Sequence, residues 1–522
     1  MDGVRTAPPL SPEDTLALRL PPGLQGSGLA EPPGSGLPHD RLAGKVSRAA
    51  RWSLVNTLVM RLGNFATGIV LARFVLDPAA WGVYAVAQTV LMVLLSANEL
   101  GVTLAIVRWD GDVRRFAPTV LTLSTASSCT LYAAVFCAAP SIAGLLGSPS
   151  AAAVLRVMCL CLVIDGLSLV PAGVITREFA QHKRLAIDAV NFLLATGITL
   201  ALAFRGWGAM SFAVGAVCGN LSALVGCALA ARGMLRFGWD REQAGALLRF
   251  GLPLAGASLL ALGVVNLDAM IVGATLGPVA LGLYMIAFNM AGWPVRIISE
   301  ASRRVSFAGF SRVADSPRDL VRGFARALKL LVTVTVPICV LLAALAGPAV
   351  RLLYGEKWVP AAQALPWLMA LGLTRIGSEL AYDCLVAVGK RRSLMALQGL
   401  WLVTLLPVLL IAARSGDIRE VAMGHVVVAG GVVVPAFLFV LHRAGIPARV
   451  VAVACARAFF GGAMTAWVVI LLHRRMGDGT AEVVMTAAIG VISYGLCTVP
   501  GSDLLPRTPK VKPRPRHRKA RG

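Results

Sequence analysis

Fourteen apolar segments of membrane-spanning length limit what this chain can fold into. A helix needs about 20 residues to cross about 30 Å of hydrocarbon. Runs of that length lie at residues 52–74, 82–107, 118–139, 151–175, 185–204 and 208–231, then 250–276, 280–298, 327–346, 361–388, 394–413 and 421–441, and last 450–472 and 481–499. Charges interrupt the eighth and the tenth. The 522 residues are 57% hydrophobic and 14% charged, with a mean hydropathy of +0.75, which leaves too little polar surface to cover a soluble globule. The expected fold class is all-α: a polytopic membrane protein of about 14 transmembrane helices.

One stretch is written twice. Leu76, Pro78, Ala80, Gly82, Tyr84 and Ala87 recur without a gap as Leu276, Pro278, Ala280, Gly282, Tyr284 and Ala287, an L-x-P-x-A-x-G-x-Y-x-x-A pattern at an offset of 200 residues. In each copy a proline, which fixes φ and cannot continue the preceding helix, opens a new apolar helix. Farther along, Gly147 matches Gly355, Lys183 matches Arg391 and Arg184 matches Arg392 at an offset of 208. The ordered matches predict two similar six-helix lobes, the added residues being absorbed in a basic connection after residue 300. Six is an even number, so both lobes enter the membrane from the same side, related by an axis along the membrane normal. The expected organisation is a disordered tail at 1–44, lobes at 45–249 and 250–449, two extra transmembrane helices at 450–500 and a basic disordered tail at 501–522.

Positive charge orients the helices. The even-numbered connections hold Arg108, Arg114 and Arg115, then Arg177, Lys183 and Arg184, then Arg232, Arg236, Arg241 and Arg249, a block from Arg303 to Lys329, then Lys390, Arg391 and Arg392, and finally Arg443 and Arg449. The odd-numbered connections are far poorer in Lys and Arg, so the even side and both termini are expected in the cytoplasm. The tail at 1–44 has no apolar core or cleavage site of a signal peptide, and the Lys and Arg of 505–522 read as a topology signal or a contact for anionic membrane lipids.

Several function classes are excluded. The net charge of +23 does not imply nucleic acid, because Lys and Arg sit between apolar runs rather than on one soluble face. All ten cysteines fall in apolar stretches without zinc or disulfide spacing and read as small buried hydrophobes; Cys159 and Cys161 form only a C-x-C pair. The histidines lie in tails, basic connections or near helix ends and read as interfacial. No phosphate-binding loop, H-E-x-x-H or acidic pair on a large loop is present, so no enzyme activity and no cofactor or metal are expected.

Ionisable residues at membrane depth are the remaining place for chemistry, because they are costly there and usually face a partner or a watery cavity. Thr57, Arg61, Asn64 and Gly68 share one face of the first helix. Asn289, Trp293, Arg296 and Glu300 repeat the spacing on the eighth, and Arg375, Glu379 and Asp383 do so on the tenth. Arg61, Asn64, Arg296 and Arg375 are the candidate substrate-binding residues, since a guanidinium can donate two hydrogen bonds at once to a phosphate. Glu99, Asp268, Glu300 and Glu379 are the candidate ion-coupling residues, and Asp165 and Asp188 are further carboxylates of the fourth and fifth helices. Against that stands a purely structural role, with Arg296–Glu300 and Arg375–Glu379 as neutralising i,i+4 pairs.

The arrangement of helices as six plus six plus two, the basic flank leading into Trp52, and Leu71, Ala72, Arg73 and Phe74 running into Pro78, Gly82 and Tyr84 resemble the polysaccharide-exporter flippases. Their superfamily also holds the multidrug and toxin extruders and the lipid II flippase. The resemblance covers about residues 45–450 and implies a V-shaped pair of lobes rocking about a central cavity, in a monomer of the bacterial plasma membrane. It implies as cargo a polyprenyl-diphosphate-linked oligosaccharide passed from the inner to the outer leaflet for exopolysaccharide or lipopolysaccharide synthesis, with polymerase or glycosyltransferase partners. The family-like cationic cavity would fall on Arg61, Arg296 and Arg375. The rival readings are a drug or cation antiporter, a lipid II flippase, and a membrane glycan ligase or polymerase, the last disfavoured by short outer loops.

Overall fold

The structure is a computed structural model that describes residues 60, 62–98, 113–178, 180–245, 247–249, 266–313, 316–477 and 479–498. The expected tails lie outside the described residues. Those residues are all-helical: α1 (Leu62–Phe74), α2 (Pro78–Asn98), α3 (Val113–Leu145), α4 (Ala151–Met158), α5 (Leu160–Arg177), α6 (Gln181–Phe204), α7 (Met210–Ala230), α8 (Leu267–Val313), α9 (Pro317–Ala344), α10 (Ala346–Tyr354), a 3₁₀ segment (Glu356–Gln363), α11 (Leu365–Ala387), α12 (Arg391–Ala413), α13 (Ile418–Val428), a π turn (Ala429–Val433), α14 (Val434–Arg443), α15 (Ala448–Met476) and α16 (Thr480–Thr498).

Eleven of the resulting spans are long and apolar enough to cross a membrane. The described part of the first expected segment, Leu62–Phe74, is shorter. The described end of the seventh segment, from Leu267, and the eighth segment are two limbs of α8, bent at Gly277, whose φ of 82° and ψ of −178° interrupt an otherwise helical run. Helix α11 carries Arg375, Glu379 and Asp383 and is too charged to register as an apolar span. These three account for the difference from the fourteen segments read in the sequence.

Three readings need correction. The basic stretch after residue 298 is not an open connection: α8 continues through Val313 and α9 begins at Pro317. Hydropathy marks where hydrocarbon ends, and nothing but the isolated Gly309 opposes the helix before Pro317. The cysteines are all free thiols, but Cys129 and Cys137 are exposed on α3, where an apolar side chain is as well suited to lipid as to a protein core. His425 likewise lies buried within α13 rather than at an interface.

The chain divides by internal packing into two compact units. One comprises Met1–Met285 with Leu353–Trp358 and Ala413–Ile418; the other comprises Ile286–Leu352, Val359–Ala412 and Arg419–Gly522.

In the first unit, α2, α3, α4, α5 and α7 enclose a core of Leu91, Val135, Leu155, Met158, Leu162 and Ala213. Helices α6 and α7 approach closely because glycines replace side chains along one face of α7. A Cβ on Gly215 would overlap the Thr199 hydroxyl, one on Gly219 the Asn191 side chain, and one on Gly226 would sit 2.9 Å from Ile187. Small residues at this spacing let membrane helices touch backbone to backbone, where lipid offers no hydrophobic drive.

The two copies of the repeated motif meet in the same unit. A Cβ on Gly82 would overlap the carbonyl oxygen of Pro278, and a Cβ on Gly282 would overlap that of Pro78. The same exchange governs a second pair of contacts. Gly147 abuts Gly273, and its repeat partner Gly355 abuts Arg73, the repeat partner of Gly273. Each half of the motif is therefore packed against the counterpart of its own neighbour.

The motif's helix break is made differently in each copy. In the first, the Leu71 carbonyl accepts both Val75 and Leu76 amides, and the Asp77 carboxylate accepts the Ala80 amide at 2.8 Å as an N-cap. In the second, Gly277 occupies the position of Asp77 and turns the chain through positive φ. Because Leu76 is diverted to Leu71, the Ala72 carbonyl is left for Trp358, whose Nε1 donates to it at 2.8 Å. Trp358 is fully buried and stands edge-on to Trp81, which meets Phe212 in the same way. Beside it, burial pulls the Lys357 ammonium below its ordinary range, while Asp77 acts in the opposite direction.

In the second unit, α15 and α16 pack on α9. Gly462 faces Val336, Gly490 faces Leu341 and Val469, and the Tyr494 hydroxyl donates to the Thr333 carbonyl at 3.0 Å. The π turn before α14 precedes Pro435, which has no N–H to continue the α-helical ladder.

Gly82→Ala and Gly282→Ala should each destabilise the folded protein by at least the 1–3 kcal/mol of overpacking, ~1–3 kcal/mol being the usual range, because the obstacle is backbone rather than a flexible side chain. Thermal unfolding followed by size-exclusion chromatography in detergent checks this. Gly144→Ala, which meets nothing within 4 Å, is the control and should be unchanged. In the same assay Trp358→Phe loses the N–H and, with its smaller ring, leaves a cavity at a fully buried site, and should cost more than the roughly 0.5–1.5 kcal/mol of the hydrogen bond alone.

Candidate functional site

Charge at membrane depth gathers where α8 and α11 cross in the second unit. Gly372 lets α11 approach α8, a Cβ there lying 2.7 Å from Val295 Cγ2. Arg296 follows Val295 in sequence, and Arg375 lies three residues beyond Gly372. Both arginines are exposed at the protein surface of the chain.

Arg375 lies at the middle of α11 and among the described residues uses only Nε, donating to Glu379 Oε1 at 3.2 Å. Its side chain is 46% exposed and that of Glu379 is 27% exposed. An i,i+4 pair on one helix holds the guanidinium upright while leaving its terminal nitrogens for another acceptor. The pair is thus real, and it does not saturate the arginine. The guanidinium of Arg296 runs along Gly292, where a Cβ would lie 3.4 Å from Nε. Its expected partner Glu300 has its backbone in α8 and its side chain outside the described ones.

Of the other expected residues, Arg61 and Glu99 lie outside the described residues, and Asn64 is exposed on α1 in the first unit. Asp268 is 4% exposed on the first limb of α8. Its Oδ2 accepts the Tyr284 hydroxyl at 2.9 Å and its Oδ1 the Ala269 amide at 2.8 Å. Tyr284 belongs to the repeated motif; its counterpart Tyr84 instead stacks on Phe212 with ring centroids 4.0 Å apart. The motif tyrosines have therefore diverged, one to an aromatic stack and one to a buried carboxylate.

Asp188 pairs with Arg184 at 3.6 Å near the start of α6, as a local ion pair. Asp165, read from the sequence only as a carboxylate of an apolar segment, belongs to a polar network with Asn98 and Ser128 that sequence reading missed, because its members come from three helices and the other two are single uncharged residues in apolar runs. Among the described residues no cluster of histidine, cysteine, aspartate or glutamate could hold a metal ion.

Comparison with known proteins agrees with this architecture. The chain is 26% identical over 330 residues to the succinoglycan biosynthesis transport protein ExoT of Rhizobium meliloti (strain 1021), covering 63% of this chain and 66% of that protein. It is 22% identical to the lipopolysaccharide biosynthesis protein WzxC of Escherichia coli (strain K12), covering 63% and 68% respectively. The chain thus matches about two thirds of the length of these curated relatives. Among solved structures, lipid II flippase MurJ in an inward closed conformation superposes with a TM-score of 0.71 at 12% identity, over 86% of this chain and 98% of that one. An inward-facing multidrug resistance MATE family transporter of the MOP superfamily gives 0.58 at 18% identity, over 76% and 98%. These two likenesses establish the fold. The polysaccharide biosynthesis protein family model matches residues 70–363, more than half of the chain, and the chain belongs to that family.

Proposed function

We propose that this protein moves a polyprenyl-diphosphate-linked oligosaccharide from the inner to the outer leaflet, by alternating access, for cell-surface polysaccharide synthesis. The observation that carries the reading is Arg375: a guanidinium halfway along a membrane-depth helix, oriented by Glu379, with its terminal nitrogens open to an acceptor. A diphosphate is the acceptor that suits a planar, always-charged fork. Arg296, which follows the Val295 that Gly372 meets, is the candidate for a second positive charge, and Arg61 remains the candidate contributed by the first helix.

In this mechanism the prenyl chain stays in lipid and only the head group needs shelter, so no bond is made or broken. Access alternates by separating and rejoining packed elements. The Gly82–Pro278 and Gly282–Pro78 contacts are short enough to act as a seal on the side of the odd-numbered connections, and opening on that side would part them. The even-numbered connections and both termini face the cytoplasm, on the strength of their Lys and Arg. Asp268, Glu379, Glu300 and Glu99 are the carboxylates available to couple the cycle to an ion, and enzymes that build or polymerise the glycan are the partners this cargo requires.

Deleting the gene should make a polyprenyl-linked glycan accumulate on the inner leaflet, measured by lipid extraction and mass spectrometry. Restoring the wild-type gene should clear it. Arg375→Ala should lower export by about 10- to 100-fold, the loss of a charge-assisted hydrogen bond, at unchanged membrane abundance. Arg375→Lys should rescue poorly, because an ammonium lacks the fork. Resistance to cationic dyes conferred by the gene, with no glycan accumulation on deletion, would instead identify an antiporter.

A further inference from the structure

The connection that follows α7 is fastened to α3 along its back and carries an apolar row on its front. Helix α7 ends at Ala230, and Gly233, at a φ of 82°, turns the chain back against α3. The Thr122 hydroxyl accepts the Gly238 amide at 3.1 Å and lies 2.8 Å from the Gly238 carbonyl, while the Thr119 hydroxyl accepts the Asp240 amide at 3.1 Å. A Cβ on Gly238 would sit 2.8 Å from Pro118, so glycine lets the chain lie close. The Asp240 carboxylate then accepts the Glu242 amide at 3.0 Å and starts the helical stretch at 241–245. The segment is held by its backbone, which leaves its outer side chains for another surface.

Successive side chains of an extended segment point to opposite sides. Met234 packs inward against the cluster of Phe116, Val120 and Leu121, whereas Leu235, Phe237 and Trp239 are 41%, 64% and 62% exposed. Three large apolar side chains at alternate positions form one exposed row, which marks an interaction surface rather than scattered exposure. Arg232, Arg236 and Arg241 are exposed along the same stretch. Asp240 is occupied with the helix start, so Glu242 is the opposing acid beside them.

Depth decides what covers the row. Helix α3 supplies both threonines, and its apolar span runs from Phe116 to Leu145, 30 residues. At 1.5 Å per residue that is about 45 Å, the thickness of a bilayer with its headgroup layers. Thr119 and Thr122 lie within the first two turns of that span, where headgroups give way to hydrocarbon. The row fastened to them sits at the same level, and a soluble partner would have to enter the headgroup layer to reach it. Tryptophan suits this boundary, and arginine can extend from it to phosphate.

We propose that residues 232–241 form a membrane anchor on the side of the even-numbered connections. Leu235, Phe237 and Trp239 enter the outermost part of the acyl chains, and Arg232, Arg236 and Arg241 hold the phosphates of anionic phospholipids. The occupant is the bilayer itself. Because Thr119 and Thr122 fasten the anchor to α3, the lipid composition of that leaflet acts directly on the first unit.

Quenching of tryptophan fluorescence by brominated lipids tests this on the full-length protein in nanodiscs. Trp239 is one of ten tryptophans, so its share is the wild-type signal minus that of Trp239→Phe. That share should be quenched by phosphatidylcholine brominated near the headgroup end of its acyl chains, and less by lipid brominated near the chain ends. At equal mole fraction, brominated phosphatidylglycerol should act on it as though about five-fold enriched over brominated phosphatidylcholine, the effect of about one basic side chain at an anionic surface. Arg236→Gln should bring the two lipids toward parity, and inorganic phosphate should leave the wild-type preference intact. Equal quenching by the two lipids in wild type, or loss of the preference in inorganic phosphate, overturns the proposal. So does a share quenched by iodide from water and by neither lipid, which would leave the row to a soluble protein. A share reached by neither lipid nor iodide also overturns it, since other parts of this chain would then cover the row, residues 99–112 and 250–265 outside the described ones being candidates. Should Trp239→Phe not fold, Phe237→Trp adds an indole to the same row, and its added emission must show the same preference. The quenching needs no cargo, so its failure would remove the anchor and leave the accumulation assay to judge transport.

Discussion

Backbone contact between the two copies of one motif is the constraint on which the first unit depends. Pro78 and Gly82 meet Pro278 and Gly282 reciprocally, and Gly147 with Gly273 is echoed by Gly355 with Arg73. In hydrocarbon, helices are not driven together by the hydrophobic effect, so close packing and satisfied polar groups must hold them. Glycine at the two crossing points supplies the first, and the Trp358 indole on the Ala72 carbonyl supplies the second. Proline ends the preceding helix, and its carbonyl is the surface on which the facing glycine packs.

Polar groups elsewhere follow the same economy of place. Asp268 is buried only because Tyr284 and the Ala269 amide meet both of its oxygens. Ser128 and Asn98 are fully buried because each is a link in a chain of hydrogen bonds. Arg375 is the counterexample. It remains half-exposed and among the described residues donates only Nε, which leaves its terminal nitrogens for the anionic guest proposed above.

Much of the fold was legible because spanning length is a one-dimensional property. Helix α12 begins within three residues of its expected start and ends where expected, at Ala413. The repeat was legible too, since Pro and Gly punctuate at fixed offsets, although nothing in the sequence says that the copies touch. What escaped were features set by three-dimensional neighbours. The continuation of α8 to Val313 lies beyond the hydrocarbon and is invisible to hydropathy. The exposure of Cys129 and Cys137 depends on which face of α3 has a protein neighbour. The Asn98–Ser128–Asp165 contacts join residues 30 and 67 positions apart, and only Asp165 stands out alone. The candidate site residues were chosen as arginines in apolar runs; that Glu379 would engage Nε of Arg375 could not have been read from spacing.

Contacts formed at very different ranges along the chain imply an order of assembly. The glycine face of α7 closes on α6, its immediate predecessor, so that hairpin can form as soon as both helices have been synthesised and inserted. The indole bond from Trp358 to Ala72 joins residues 286 positions apart and must wait until most of the polypeptide has left the ribosome. Until then the end of α1 keeps an unsatisfied carbonyl. The nascent first half is consequently an incomplete object, finished by a short segment that arrives late in translation.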